Sequence, residues 1–241
     1  MRSHPETKRK YIFDLILERN LDVLFITESW LYEKGDEATI AAMTPPGYSS
    51  KSLPRNNDYR GGGIISIFKS SMASIISFPE SNSIKLKSFE LLEMKIKLKT
   101  NDVNIKCIYR PPSGDTNPTP APLVREELDK LFSTIHFSKG FPIIFGDFNF
   151  HFDQDTSQVT KIKEILAHHS LLQLVDKPTH RGGHILDWVV VRDTDPNYVE
   201  TSVKSAPVSD HSVVLINVKV VKDKNKEKTT TSRNLKAVNI P

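Results

Sequence analysis

Short apolar runs that meet a carboxylate or an amide recur along this 241-residue chain, and no other feature constrains its fold as much. Leu24 to Thr27 leads directly into Glu28, and Pro142 to Phe145 leads through Gly146 into Asp147 and Asn149. Asp187 interrupts the run from Ile185 to Val191, while Asp210 and His211 stand just before Ser212 to Val218. Runs of four to eight apolar residues bounded by turn residues read as buried strands. A single carboxylate at a strand end is an ordinary terminus or a helix cap. Strands of one sheet can also bring their ends to one rim. A rim collecting Glu28, Asp147, Asn149, Asp187, Asp210 and His211 is a hard, oxygen-rich site suited to magnesium or manganese. Zinc fits less well, because its sites favour cysteine and spaced histidines. The chain has one cysteine, Cys107, and its His168 and His169 are adjacent.

The segments between these runs set the fold class. Residues 8 to 19, 123 to 135 and 158 to 169 carry apolar side chains at helical spacing. Gly61 to Phe68 opens with glycines and turns β-branched, and Leu92, Met94, Ile96 and Leu98 alternate with charged residues. Asn101 and Asp102 make a turn into Val103 to Tyr109, so these last two segments predict an antiparallel hairpin. Hairpins interleaved with helix-strand units point to an α/β architecture with a mixed sheet core. One domain over residues 1–221, followed by a basic tail at 222–241, accounts for the chain. From Asn217 to Pro241 there are seven basic and two acidic residues, so the net charge of +4 resides in the tail. Such a tail can act as a solvated linker or hold a phosphate backbone.

A polar, basic beginning and the lack of any uncharged apolar run of about 18 residues argue against secretion and membrane spanning. A single cysteine suits a reducing compartment, so a nuclear or cytoplasmic location is expected. Tyr109 and Arg110 leave a strand just before Pro111 and Pro112, which stiffen the turn and make the pair a phosphate handle. The alternative places Tyr109 in the core and Arg110 on the surface. His180 and His184 flank a glycine-containing turn that reads as a loop or as a substrate contact. No GxxxxGK[ST], GxGxxG or GxSxG motif occurs, which disfavours nucleotide-triphosphate, dinucleotide and serine-hydrolase chemistry.

Five motifs then fall in a telling order: TESW around Glu28, YRPPS from Tyr109, GDFN from Gly146, LDW from Leu186 and SDH from Ser209. Together with PTHRGGHILD from Pro178 to Asp187, they make the chain similar to the endonuclease/exonuclease/phosphatase superfamily over about residues 2 to 221. Within it, the chain most resembles the apurinic-type endonuclease domain of non-LTR (LINE-type) retrotransposons. The resemblance implies a DNase I-like, four-layer sandwich of two mixed sheets flanked by helices, with one active site on the rim. It casts Glu28 and Asp210 as metal ligands for Mg2+ or Mn2+ and Tyr109 as a substrate-side tyrosine. Asp147 would position or activate water beside the Asn149 amide, Asp187 would orient the catalytic His211, and Arg110 would serve the substrate phosphate. Relatives begin with a strand ending in asparagine ahead of an Arg-Ser pair. Arg2 and Ser3 match the pair, so the chain is expected to lack that first strand. Trp188 stands where many relatives carry a smaller aliphatic residue. The implied activity is metal-dependent DNA nicking by a monomer, with a reverse transcriptase as a partner in the parent element. An impaired, shortened domain, or a phosphatase of small phosphoesters or inositol lipids, are the two other readings.

Overall fold

A computed structural model describes residues 5–54, 61–79, 86–99, 101–112 and 119–219. Arg2, Ser3 and the basic tail at 222–241 lie outside the described residues. The chain opens with helix α1 (Pro5–Glu18), strand β1 (Val23–Thr27), helix α2 (Glu37–Met43) and strands β2 (Tyr48–Leu53), β3 (Ile64–Lys69) and β4 (Ile76–Ser77). The hairpin β5 (Glu90–Ile96) and β6 (Val103–Tyr109) follows, then α3 (Ala121–His136), β7 (Phe141–Asp147) and α4 (Ser157–His168). Strands β8 (Leu171–Gln173), β9 (Asp187–Arg192), β10 (Val199–Lys204) and β11 (Val213–Val218) complete the order.

Helix α1 ends where the sequence lets it end. Asn20 takes φ 48°, the left-handed value that short amides tolerate, and the Leu21 N–H turns back onto the Ile16 carbonyl. Ile12, Ile16 and Leu21 thereby join Met43 of α2 and Ile65 and Ile67 of β3 in one apolar cluster. In α3, Val124, Leu128, Leu131, Phe132 and Ile135 share one face and are fully buried against the larger core cluster. A smaller cluster formed by Ile64, Leu92, Cys107 and Tyr109, with Phe25 and Phe145 against it, lies between the sheets. These three clusters define four layers: α1 and α2, the sheet β1-β3-β2, the sheet β4-β5-β6-β7-β9-β8, and α3 with α4.

Among the described residues only the six-stranded sheet is mixed, because α3 carries the chain from β6 back to a parallel β7. The three-stranded sheet is antiparallel throughout, and β10 and β11 form a separate antiparallel pair. The expectation of two mixed sheets is therefore met by one mixed sheet and two antiparallel ones among the described residues. Strands β1 and β11 each end their own sheet, and both line a cleft of about 2080 Å3 that Ile105, Cys107 and Phe145 also line. No strand precedes α1 among the described residues.

Gly146 fixes the position of the residue after it. It takes φ 139°, and a Cβ there would run into the Ile108 carbonyl oxygen of the neighbouring strand. Backbone of a packed sheet cannot withdraw cheaply, so Gly146→Ala is expected to lower stability by more than about 2 kcal/mol. Urea denaturation of the variant beside the parent measures it.

Candidate active site

Strand register builds the site. Glu90 of β5 is opposite Tyr109 of β6, Tyr109 is level with Asp147 of β7, and Asp147 is opposite Asp187 of β9. Four polar residues thus form one transverse row at the end of the sheet. Side chains at the same level of adjacent strands point to the same face, so the row converges on one side. Glu28 reaches it from the other sheet at the end of β1, where the Tyr109 hydroxyl donates to its Oε1 at 2.5 Å. Burial, then the hydrogen bond and charge of Glu28, hold the Tyr109 phenol far above its ordinary pKa. Tyr109 therefore stays a neutral donor.

His211 enters from the loop before β11. Its Nδ1 donates to Asp187 Oδ2 at 2.9 Å, while its Nε2 lies 3.9 Å from Asp147 Oδ2. Burial opposes the imidazolium, but the hydrogen bond and charge of Asp187, reinforced by Asp147 and Asp210, hold the His211 pKa up at about 9. Asp147 is pushed well above the usual carboxylate range by burial and then by the charge of Asp187; His211 and the Asn149 N–H oppose this. Asn149, at φ 52°, turns its N–H and its side-chain amide onto the two Asp147 oxygens at 2.9 and 3.1 Å. One oxygen of each of Asp147, Asp187 and a His211 nitrogen lie within 4.8 Å of one another.

Glu28 and Asp210 are outside that compact group. Both line the same cleft as Asp147 and His211, and the charge of each acts on a member of it. Asp210 has 68% of its side chain exposed and one oxygen 3.8 Å from His180 Nε2. Arg110 is not on the surface, where the alternative reading put it. It is 5% exposed, its guanidinium lies 4.0 Å over the Phe150 ring, and Nη1 donates to the Asn149 carbonyl. The Asn149 amide donates in return to the Arg110 carbonyl at 2.7 Å, so Arg110 braces the loop that presents Asn149.

Two positioning residues escape a reading of the sequence. Thr179 is fully buried; its hydroxyl oxygen accepts from the Leu186 and Asp187 N–H groups, and its carbonyl from Ser212. With the His180–His211 bridge and the Arg181 N–H on the Asp210 carbonyl, it ties the PTHRGG loop to SDH. Glu90 accepts from the Gly63 N–H at 2.6 Å, and a Cβ on Gly62 would collide with its carboxylate. The carbonyls of Gly62 and Gly63 accept in turn from Trp30 and Ser29, so Glu90 anchors the loop that carries Glu28. By strand alternation Glu90 shares the face of Leu92, Met94 and Ile96, and the register places it opposite Tyr109.

A buried carboxylate facing an imidazole that a second carboxylate holds, at the rim of a four-layer sandwich, has the makings of phosphoester hydrolysis. The chain belongs to the endonuclease/exonuclease/phosphatase family, whose model matches residues 2–211. Among solved structures it is similar to the AP endonuclease LMAP from Leishmania major, at 15% identity and TM-score 0.70, covering 90% of this chain and 85% of that one. The endonuclease domain of TRAS1, a telomere-specific non-LTR retrotransposon, is similar at 14% identity and TM-score 0.62, with coverage of 89% and 93%. So is the 3′ phosphatase NExo from Neisseria bound to a product DNA hairpin, at 13% identity and TM-score 0.64, with coverage of 88% and 94%. At these identities the likeness carries the fold. No curated protein matches the sequence. No helix among the described residues is long and apolar enough to cross a membrane.

The raised pKa of His211 makes stability depend on pH with a definite sign. A group that binds its proton more tightly when folded stabilises the protein fully below its unfolded value, about 6.5, and loses that contribution as pH rises through about 9. Asp147, also raised, acts in the same sense from the ordinary carboxylate range upward. Folding stability without metal is expected to fall by on the order of 2–3 kcal/mol between pH 6.5 and 9.5, lowering the melting temperature, and to fall less in His211→Gln. Thermal denaturation across that range checks it.

Proposed function

We propose that this chain is a divalent-metal-dependent phosphodiesterase that nicks DNA to leave a 3′-hydroxyl, of the kind carried by non-LTR retrotransposons. The observation that carries the reading is the row Tyr109, Asp147 and Asp187, completed by His211 on Asp187 and by Glu28 on Tyr109. Asp187 fixes the imidazole so that Nε2 faces Asp147, and the protonated ring offers that N–H to a phosphoryl oxygen. Asp147, kept basic by burial and oriented by Asn149, takes the proton of the attacking water. Tyr109 holds Glu28 in place and stays neutral while doing so.

The donor set fits a hard cation. Burial and then the negative charge of Asp187 and Glu28 raise the Asp147 pKa, and a divalent ion would relieve that crowding of charge. A His211 already committed to Asp187 and protonated at neutral pH is a poor ligand, which leaves oxygens of Glu28 and Asp210 to hold Mg2+ or Mn2+ beside Asp147. When bound, the ion supplies charge stabilisation to the phosphoryl and leaving oxygens.

DNA is the expected partner, and a reverse transcriptase in the parent element a further one. A substrate panel tests the reading: supercoiled plasmid, a soluble inositol phosphate, and bis-p-nitrophenyl phosphate, each with magnesium. The expected result is nicked plasmid with 3′-hydroxyl ends at a specificity at least about tenfold above the small esters. Hydrolysis of the inositol phosphate with intact plasmid would replace this reading with the phosphatase one.

A further inference from the structure

Resting on the nuclease reading, we infer that Trp30 is a nucleobase-stacking platform beside the scissile phosphate and sets a preference for nucleic acid over base-free phosphoesters. Trp30 stands two residues beyond Glu28 and lines the same cleft as Glu28, Asp147, Asp187 and His211. Its side chain remains 44% exposed, and Tyr32 in the same loop is 48% exposed. A large indole left in water forgoes stabilisation that a buried one provides.

Backbone geometry makes the exposure specific. Trp30 takes φ 57° and Glu28 φ 50°, left-handed values that cost a bulky L-residue on the order of 1–3 kcal/mol and persist only where neighbours enforce them. The neighbours are identifiable. The N–H groups of Ser29 and Trp30 donate to the carbonyls of Gly63 and Gly62 at 3.0 and 2.9 Å, and Glu90 fixes that glycine segment through the Gly63 N–H. A Cβ on Gly61 would be in ordinary contact with the ring, 3.6 Å from Cζ2, so the glycine segment packs beside the indole. The loop that aims Glu28 into the site therefore also places the half-exposed indole in the wall of the cleft. Every base offers a π-face, so stacking there tolerates sequence and contributes about 1–3 kcal/mol per base.

The chain's two tryptophans make the test direct, because Trp188 is fully buried and Trp30 is not. A short oligodeoxynucleotide titrated into the full chain in chelating buffer, where cleavage is not supported, is expected to quench the exposed indole's fluorescence. The same strand carrying abasic sites should bind without that quenching. Trp30→Ala is expected to weaken binding of the normal oligonucleotide by about 5- to 150-fold and to abolish the difference between normal and abasic strands. Trp30→Phe should keep most of that difference, because a phenyl face still stacks. A parent that binds and nicks DNA while Trp30→Ala retains the full preference for the normal strand would overturn the Trp30 assignment alone. A parent that binds no oligonucleotide yet hydrolyses small phosphoesters would overturn both this inference and the nuclease reading.

Discussion

His211→Ala is expected to slow phosphodiester cleavage by about 100- to 10,000-fold, the usual contribution of a positioned acid-base group, and to change DNA affinity little. The basis is placement: Nδ1 is committed to Asp187 at 2.9 Å, so only Nε2 is left for the reacting phosphate. Asp187→Asn should act in the same direction with a smaller effect, because Thr179 still holds the backbone at Leu186 and Asp187 while the charge partner of the imidazolium is gone. The double substitution should fall short of the product of the two, as expected of groups acting as one unit. Single-turnover nicking rates with saturating enzyme separate chemistry from binding. Near-parental rates for His211→Ala would reduce SDH to a strand-entry turn.

Trp188→Ala is expected to cost about 3–5 kcal/mol of folding stability, the largest single loss available in this core. The indole is fully buried, stacks on Phe148 at 4.2 Å and 13°, and meets Phe152 edge-on at 4.9 Å. No small side chain fills that volume, and the surrounding aromatics are tied to the GDFN turn, so the cavity left behind cannot close. Because Trp188 adjoins Asp187, the variant should also loosen the His211 pair. Guanidinium unfolding with near-ultraviolet dichroism measures both effects. A loss below about 1 kcal/mol would show that the site repacks freely.

Trp188 also illustrates what a sequence discloses and what it hides. Its position inside an apolar run announces a buried strand, but the Phe148, Phe150 and Phe152 partners that make a large ring welcome there come from a different turn. The strands that carry Glu28, Asp147 and Asp187 were legible because each is apolar and each meets an acid. Strand β2, reading YSSKSL, and β10, reading VETSVK, were not, since one edge or face of each meets solvent and their composition resembles loop. Helix α2 is only seven residues long and β8 only three, too short for periodicity to register. Arg110 went the other way: a charged residue before two prolines could as well lie on the surface, whereas an aromatic ring and the Asn149 carbonyl hold it inside. Glu90 carries no motif, and Thr179 sits in PTHRGGHILD without chemistry of its own, so only strand register and loop closure expose their part in the site.

The measurement that bears most directly on the central claim is nicking of supercoiled plasmid by the full chain with magnesium, with excess chelator, and with magnesium restored. A metal ion held by Glu28 and Asp210, with Asp147 as the base, predicts open-circular product in the first and third conditions and none in the second, with Asp147→Asn inactive throughout while still folded. Nicking that survives chelation, or an Asp147→Asn protein that nicks at the parental rate, would contradict it.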